Sequence, residues 1–300
     1  MIRHRSDIIA CTEEERRLAV AAPHCELLRS NKERVVLPFI PIDFLGTTVS
    51  TYPLVLAVYL LIALPVTAKL NASRGISPDV TLGAFAVGVP AGLIGAHVLD
   101  IFEYSDRYPQ WTDVFRRGGG SSIYGAFILV LPVVAAYVRR HGVPLLRFMD
   151  GGAPAMALGE AMSRIGCFLN GCCYGVPTSR PWSIVFPAGS FAYRDQIARG
   201  LLSPNAFQSL PVHPVQLYSA IIMSATTALL LWILRRPRPD GTVLFAFLLI
   251  YGALRLGMSP YRQEALVSMK VFSIAFMLIG AAGLIGARKA RPPDGDGIVS

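Results

Sequence analysis

Long apolar stretches separated by short polar connections are the dominant pattern along this chain. A helix needs roughly 20 apolar residues to cross the hydrocarbon core of a bilayer, which is about 30 Å thick. Strands of a membrane barrel are shorter and alternate with a period of two, so helices are the only reasonable form here. The pattern predicts an all-α membrane protein, a bundle of about seven transmembrane helices at 52–70, 80–100, 123–139, 153–170, 214–234, 242–259 and 269–287.

Polar segments outside these stretches predict the remaining organisation. Residues 1–34 form a polar tail without an apolar core of signal-peptide length. Residues 35–287 form the membrane domain, and residues 288–300 form a second polar tail. The one sizeable insertion, 171–212, has a loop-like composition, and we expect it to form a small head on the bundle.

Composition and charge place this bundle in a membrane and orient it. With 53% hydrophobic and 16% charged residues, the chain is unlike a soluble domain. Its net charge of +9 forms no single nucleic-acid-binding patch, because basic residues flank every second connection. By the positive-inside rule, the basic connections and the carboxy terminus are cytoplasmic. The outer side then holds the amino terminus, the head and the connections 101–122 and 260–268. The flanking residues are Lys69, Arg74, Arg139, Arg140, Arg147, Arg235, Arg236, Arg238, Arg288, Lys289 and Arg291.

Two arginines within predicted spans carry the first functional information. Arg164 and Arg255 each lie at least one turn from the apparent end of a helix, where an ionisable group costs several kcal/mol unless a partner receives it. Each arginine alone is explained by a nearby carboxylate such as Glu160, or by snorkelling to the interface. Together they favour a shared anion, because a guanidinium fork matches phosphate oxygens. A phospholipid headgroup is the obvious anion at that depth.

Around these arginines the chain carries six short motifs in a fixed order. The motifs are Gly119–Gly125 (GGSSIYG), Arg164–Gly171 (RIGCFLNG), Gly175 with Pro181–Pro187 (PWSIVFP), His213–Tyr218 (HPVQLY), Arg238–Gly241 (RPDG) and Tyr251–Arg255 (YGALR). The set resembles the prolipoprotein diacylglyceryl transferase family of bacteria, and the resemblance runs from about Val35 to about Gly286.

The resemblance implies an enzyme of the bacterial inner membrane with a cavity open to the outer leaflet. The reaction would transfer diacylglycerol from phosphatidylglycerol to the lipobox cysteine of a prolipoprotein, with glycerol 1-phosphate as the leaving group. No cofactor and no metal are implied. The family pattern assigns catalytic roles to Arg255, Tyr124 and Tyr52, and substrate binding to Arg164, Asn170, Gly171, Gly175, His213, Gln216 and Arg262.

Several of these residues have simpler interpretations. Arg164 and Arg255 would hold the lipid phosphate and stabilise the departing glycerol phosphate. Gly171 and Gly175 would let the backbone turn closely where the helix meets the head, although Gly175 also fits an ordinary turn. His213 and Gln216 also fit hydrogen bonding that fixes the head.

The chain departs from the family pattern at groups that titrate or pair with arginine. Tyr124 stands where the family has a histidine proposed as the base, and a tyrosine pKa near 10 suits a base at neutral pH less well than a histidine pKa near 6.5. Neighbouring arginines would lower the Tyr124 pKa; alternatively, the hydroxyl only donates a hydrogen bond to lipid. The other departures are Cys167 for asparagine, Cys172 for glutamate, Ser219 and Ser259 for glutamate, and His97 for arginine.

Three of the five cysteines, Cys167, Cys172 and Cys173, cluster at the end of the fourth predicted span. A Cys167–Cys172 disulfide, or a zinc site with His213, is conceivable, but the spacing matches no common zinc pattern. A thiol near the donor lipid could also act as a nucleophile. The sequence favours small, packable residues beside the cavity.

Two functions from different classes stay open. The first is a transferase that uses phosphatidylglycerol, with a prolipoprotein cysteine or a changed acceptor. The second is a relative that binds or handles anionic phospholipid without catalysis. A transporter or channel is disfavoured because the motifs lie at one face rather than along a pore. Retention of both phosphate-binding arginines favours the transferase.

The predicted orientation can be tested by cysteine labelling in a cysteine-free background. We expect a membrane-impermeant reagent to modify Ser190→Cys in intact spheroplasts, because the head lies outside. Asp240→Cys should stay protected until the membrane is permeabilised. The reverse pattern would overturn the orientation.

Overall fold

The computed structural model describes residues 42–44, 47–49, 51–103, 105, 123–263 and 267–289. Within these residues, helices predominate. One short antiparallel pair, β1 (Ile42–Phe44) and β2 (Thr47–Val49), precedes them. The helices are α1 (Thr51–Ala72), α2 (Pro78–Glu103), α3 (Ile123–Arg140), α4 (Leu145–Leu169), α5 (Phe191–Ala198), α6 (Val215–Leu234), α7 (Thr242–Met258) and α8 (Val267–Lys289), with a 3₁₀ turn at Ser259–Tyr261.

The membrane class predicted from the sequence is confirmed. Five segments of described helix are long and apolar enough to cross a bilayer: Leu54–Ala72, Pro78–Phe102, Val215–Leu234, Thr242–Tyr261 and Met269–Lys289. The two other predicted spans coincide with α3 and α4, so a total of seven crossings stays a prediction. The tail 1–34, residues 106–122 and the last residues from 290 lie outside the described part.

Helix α4 ends in a conformation that its sequence dictates. Gly171 has φ 66°, the left-handed region that glycine enters without cost. The N–H of Cys172 donates to the Cys167 carbonyl at 3.1 Å, and the N–H of Gly171 donates to Phe168 at 3.2 Å. These bonds satisfy carbonyls that the helix end would leave unpaired. Helices α1 and α3 end with the same pair of bonds.

The chain divides into two compact units, and the first contains residues Met1–Tyr59, Ala157–Thr226 and Ile250–Leu278. Its head segment is mostly irregular and is held by isolated bridges, including Pro177 with Val212 and Ile184 with Val212. A small apolar cluster fills the head, and Phe168 of α4 packs against it. The cluster consists of Tyr174, Ile184, Phe186, Ala192 and Val212.

The second unit contains residues Leu60–Met156, Thr227–Leu249 and Ile279–Ser300. A buried carboxylate organises it, because Asp150 of α4 accepts the backbone N–H groups of Gly241 and Leu244 at 2.8 and 2.9 Å. This bonding caps the first turn of α7. Arg74 pairs with Asp150 at 3.3 Å and with Asp240 at 2.9 Å. The Asp-Gly of the sequence motif therefore belongs to a structural network.

Helices α2 and α3 of the second unit approach at two glycines. A Cβ atom added at Gly95 would lie 2.3 Å from the Gly125 carbonyl oxygen, and one at Gly125 would lie 2.1 Å from the Gly95 carbonyl oxygen. Small residues permit such backbone contact between membrane helices. Gly125 ends the first sequence motif, so at least part of that motif is needed for packing.

We expect Gly95→Ala to destabilise the protein by about 1–3 kcal/mol, because its new methyl group must displace backbone rather than a flexible side chain. Gly152→Ala in α4 is the matched control, since a Cβ there meets no atom within 4 Å, and removing a helical glycine should be neutral or stabilising. Apparent melting temperatures in one detergent would measure both. Equal melting temperatures for the two variants would contradict the close helix contact.

Candidate functional site

Three arginines of the first unit influence one another electrostatically. Arg164 lies in the last part of α4, Arg255 near the end of α7, and Arg262 directly after the 3₁₀ turn. Burial, together with the positive charges of Arg164 and Arg255, lowers the pKa of Arg262 to about 10. A guanidinium pKa falls only where like charges are near and solvent is limited. The fold thus brings together cations that are separated by almost a hundred positions in the sequence.

One carboxylate partly balances this group. Glu160 lies one helical turn before Arg164, and its Oε1 accepts hydrogen bonds from Nε and from the terminal nitrogen of Arg164, each at 2.8 Å. Pairing of Arg164 with Glu160, one of the two explanations drawn from the sequence, is therefore confirmed.

Arg255 and Arg262 differ from Arg164 in this respect. Among the described residues, neither forms an ion pair with a carboxylate. A terminal nitrogen of Arg255 donates a hydrogen bond to the Met269 sulfur at 3.4 Å. Among the described residues, three guanidiniums thus lie near a single carboxylate, that of Glu160. This excess of positive charge in a partly buried position is what an anionic ligand would neutralise.

Tyr251 lies in the site but was not among the residues predicted for it from the sequence, where it appeared only within the Tyr251–Arg255 motif. Its side chain is half-buried and is acted on by the charges of Glu160 and of all three arginines. Tyr251 precedes Arg255 by one helical turn in α7, which places both on the same helix face. That spacing was the signal in the sequence that could have identified it.

The loop after α4 is fixed by polar side chains named from the sequence. Gln216 is fully buried and donates from Nε2 to the Cys172 carbonyl at 2.8 Å. Asn170 donates to the Cys172 sulfur at 3.6 Å. Both residues therefore position the loop in this structure, in keeping with the hydrogen-bonding interpretation of Gln216. Their substrate contacts stay a prediction.

Gly175 is needed for close approach of three segments. A Cβ there would lie 2.6 Å from the His213 carbonyl oxygen and 2.7 Å from the Tyr261 carbonyl oxygen. The Gly175 N–H donates to His213 at 3.1 Å, and the next N–H, of Val176, donates to Tyr261 at 2.9 Å. Gly175 also bridges to Arg262. The glycine thus lets the head hold the backbone that carries Arg262.

His213 lies beside two tyrosines rather than in the guanidinium group. Its Nδ1 is 3.3 Å from the Tyr218 hydroxyl, and its ring packs edge-on against Tyr261 with centroids 5.4 Å apart. Burial, and secondarily the charge of Arg180, lowers the pKa of His213. A neutral imidazole at physiological pH follows, since the ordinary value is near 6.5.

The three clustered cysteines meet in space. The sulfur atoms of Cys167, Cys172 and Cys173 all lie within 4.8 Å of one another. Hydrogen bonds from the other two thiols lower the pKa of Cys173, and the charges of Arg164 and Arg262 act in the same direction. Even with Cys173 ionised, the three guanidiniums exceed the negative charges that the described residues place beside them.

Two of the residues predicted from the sequence, Tyr52 and Tyr124, are described by their backbone alone. Tyr52 lies in the first turn of α1 and Tyr124 in the first turn of α3, but their side chains lie outside the described part. Of the residues that depart from the family pattern, Ser219 is buried in α6, and Ser259 lies in the 3₁₀ turn. His97 lies in α2.

Comparison with known proteins points to one protein family. Residues 40–286 match the family model described as prolipoprotein diacylglyceryl transferase. A phosphatidylglycerol–prolipoprotein diacylglyceryl transferase of Clostridium tetani is 30% identical over 243 residues, covering 79% of this chain and 92% of the relative. A Clostridium perfringens protein of that name is 28% identical over 256 residues, covering 83% and 94%. A Corynebacterium efficiens protein of that name is 32% identical over 208 residues, covering 66% and 63%.

These matches agree with the resemblance seen in the sequence motifs. They extend over both units, and the apolar helices and bacterial relatives together indicate a protein of the bacterial inner membrane. The chain belongs to the prolipoprotein diacylglyceryl transferase family and is a membrane-embedded transferase.

Proposed function

We propose that this chain transfers the diacylglyceryl group of phosphatidylglycerol to the lipobox cysteine of a prolipoprotein. The observation that carries the proposal is the group of three guanidiniums, Arg164, Arg255 and Arg262, which in the described part of the chain has one nearby carboxylate, that of Glu160. The names of the relatives specify phosphatidylglycerol and a prolipoprotein as substrates. An anionic phosphodiester is the ligand that such a group would bind at membrane depth.

The change in charge during the reaction explains why excess cations are useful. The acceptor thiolate attacks the glyceryl carbon, the bond from that carbon to the phosphate oxygen breaks, and the electron pair leaves with glycerol phosphate. The phosphodiester carries one negative charge, whereas the departing monoester develops a second. Arg255 and Arg262 are not already neutralised by carboxylates in the described structure, so they can stabilise the added charge.

Arg164 has a different task in this proposal. Because Glu160 already holds its Nε and one terminal nitrogen, the side chain is oriented before lipid binds, and the N–H donors of the other terminal nitrogen are left for the ligand. A pre-oriented donor contributes without losing conformational freedom. Tyr251, half-buried among the same charges, adds a hydroxyl to the site.

The proton of the acceptor thiol needs a base, and the family pattern places Tyr124 at that position. We assign Tyr124 this role, with Tyr52 as a second hydroxyl. The orientation proposed from the basic flanks places the head and the lipid site at the outer leaflet.

Arg255→Gln should weaken binding of phosphatidylglycerol by about 10- to 100-fold, because it removes charge-assisted hydrogen bonds without leaving Glu160 unpaired. Arg194→Gln is the matched control, since Arg194 lies on the exposed helix α5 and donates to the Gly189 carbonyl. Native mass spectrometry with defined lipids would measure retention. Equal retention of phosphatidylglycerol and phosphatidylcholine by the unaltered protein would refute an anion site.

Tyr124→Phe should lower turnover strongly and leave lipid binding nearly unchanged, as expected for a group used mainly in the transition state. Tyr124→His should preserve or raise activity on a lipobox peptide, because an imidazole has a suitable pKa. Release of glycerol phosphate from phosphatidylglycerol vesicles measures both. If neither the unaltered protein nor Tyr124→His releases any, prolipoprotein transfer is the wrong reaction, and lipid handling or a different acceptor takes its place.

A further inference from the structure

The three thiols of the first unit have the geometry of a metal-ligand set. Zinc binds cysteine sulfur at about 2.3 Å, so two sulfurs on a tetrahedral ion lie about 3.8 Å apart. In this structure the Cys167, Cys172 and Cys173 sulfurs are within 4.8 Å of one another. A contraction of at most about 1 Å, available through side-chain rotation, would bring all three onto one ion.

The loop that presents these thiols is held in an unusual conformation. Cys173 has φ 55°, the one non-glycine residue with positive φ in the described structure. A left-handed cysteine is strained, and such strain persists only where the surroundings impose it. Gln216 holds the Cys172 carbonyl, and Asn170 donates to the Cys172 sulfur. Bonds of this kind orient the ligands of a metal.

The surroundings also suit the charge of a metal-thiolate complex. Three thiolates and one divalent ion carry a net charge of −1. Arg164 acts electrostatically on Cys167 and Cys173, and Arg262 acts on Cys173. A neutral packing role, which the sequence alone favours, requires neither the convergence of three thiols nor the adjacent cations.

We propose that Cys167, Cys172 and Cys173 together bind one thiophilic divalent ion such as Zn²⁺, with its fourth coordination position left for the acceptor thiol. Within the described residues no fourth cysteine, histidine or carboxylate joins the group. Zinc sites with three protein ligands and one open position are typical of catalysis, whereas structural sites are closed by four. The second half of the proposal rests on the proposed function, because it takes the acceptor to be a thiol.

The open position would supply what the missing histidine does not. Binding to the ion would lower the pKa of the acceptor thiol, so that a base as weak as Tyr124 could take its proton at neutral pH. That sulfur would form its bond to the glyceryl carbon as the carbon–oxygen bond breaks, and the electron pair would leave on glycerol phosphate beside Arg255 and Arg262. The neutral thioether product is a weaker ligand and dissociates. No oxidant or reductant is needed.

Co²⁺ is a suitable probe, because Zn²⁺ has a filled d shell and no visible spectrum. The full-length protein, purified in detergent with a phosphine reductant, should bind one Co²⁺ per chain and show sulfur-to-cobalt charge-transfer absorption. Cys173→Gly should weaken Co²⁺ binding by more than about 100-fold. Loss of a hydrogen bond that supports a metal ligand lowers metal affinity by about 10- to 100-fold, and loss of the ligand itself should lower it further. Glycine tolerates the left-handed backbone, so this variant should fold at least as well as the original.

The double variant Cys11→Ser, Cys25→Ser is the matched control and should bind Co²⁺ normally. The metal site is overturned if the unaltered protein binds no stoichiometric Co²⁺ or if Cys173→Gly binds it equally well. It is also overturned if mass spectrometry finds a disulfide among the three cysteines that persists under the reductant.

The fourth position is tested without phospholipid, by adding a lipobox peptide to the cobalt-loaded protein. The cysteine peptide should change the visible spectrum, and the same peptide with serine in place of cysteine should not. Failure of the cysteine peptide to change the spectrum, in a protein that still transfers diacylglycerol, would overturn the acceptor position and leave the proposed function intact. A spectral change without any transfer would refute the proposed function and leave the metal site standing.

Discussion

The site of this protein depends on an excess of positive charge in a place where charge is costly. In the first unit the charges of Arg164 and Arg255 act on Arg262, and among the described residues a carboxylate, that of Glu160, pairs with Arg164 alone. Like charges in a poorly solvated position destabilise the free protein unless an anion or water-filled space receives them. Under the proposed function, a bound lipid phosphate would relieve this cost, and the additional charge that develops during the reaction would relieve it further. Binding and catalysis would then depend on the same excess of positive charge.

The backbone around the site is arranged to hold that imbalance in place. Gly171 ends α4 and turns the chain into the head, and Gly175 lets three backbone segments approach more closely than any side chain would allow. Through that approach Arg262, which belongs to no helix, is fixed by a bridge to the head. The head therefore fixes the backbone position of one arginine of the proposed anion site.

Three cysteines give this site a chemistry that arginines alone do not provide. Where the family pattern has asparagine and glutamate, this chain has Cys167 and Cys172, and Cys173 completes the group. The histidine of the family pattern is replaced by Tyr124, a poorer base at neutral pH. The loss of these titrating groups and the presence of three thiols are consistent with one change of mechanism, in which a bound metal ion would lower the pKa of the acceptor thiol so that the weaker base Tyr124 suffices.

The helix boundaries show how far periodicity and apolar length determine a membrane fold. The predicted spans 80–100 and 123–139 correspond closely to α2 and α3, because a helix must satisfy its backbone internally in lipid and its length follows from bilayer thickness. The role of Gly125 was less accessible. Its motif resembles a family signature, but in the structure Gly125 packs against the Gly95 carbonyl. The two residues are thirty positions apart, so no local sequence pattern predicts their contact.

The sequence by itself determined the membrane class, the helical elements and the residue types of an anion site, since these follow from local composition and from motifs in a recognisable order. It did not determine which charges meet. Tertiary structure alone decided that Arg164 pairs with Glu160 while Arg255 and Arg262 have no carboxylate partner in the described residues, that Tyr251 is half-buried among them, and that three thiols converge. The reason is that electrostatic energy and ligand geometry depend on distances of a few ångströms between segments far apart in the chain, and only the packing of those segments sets such distances.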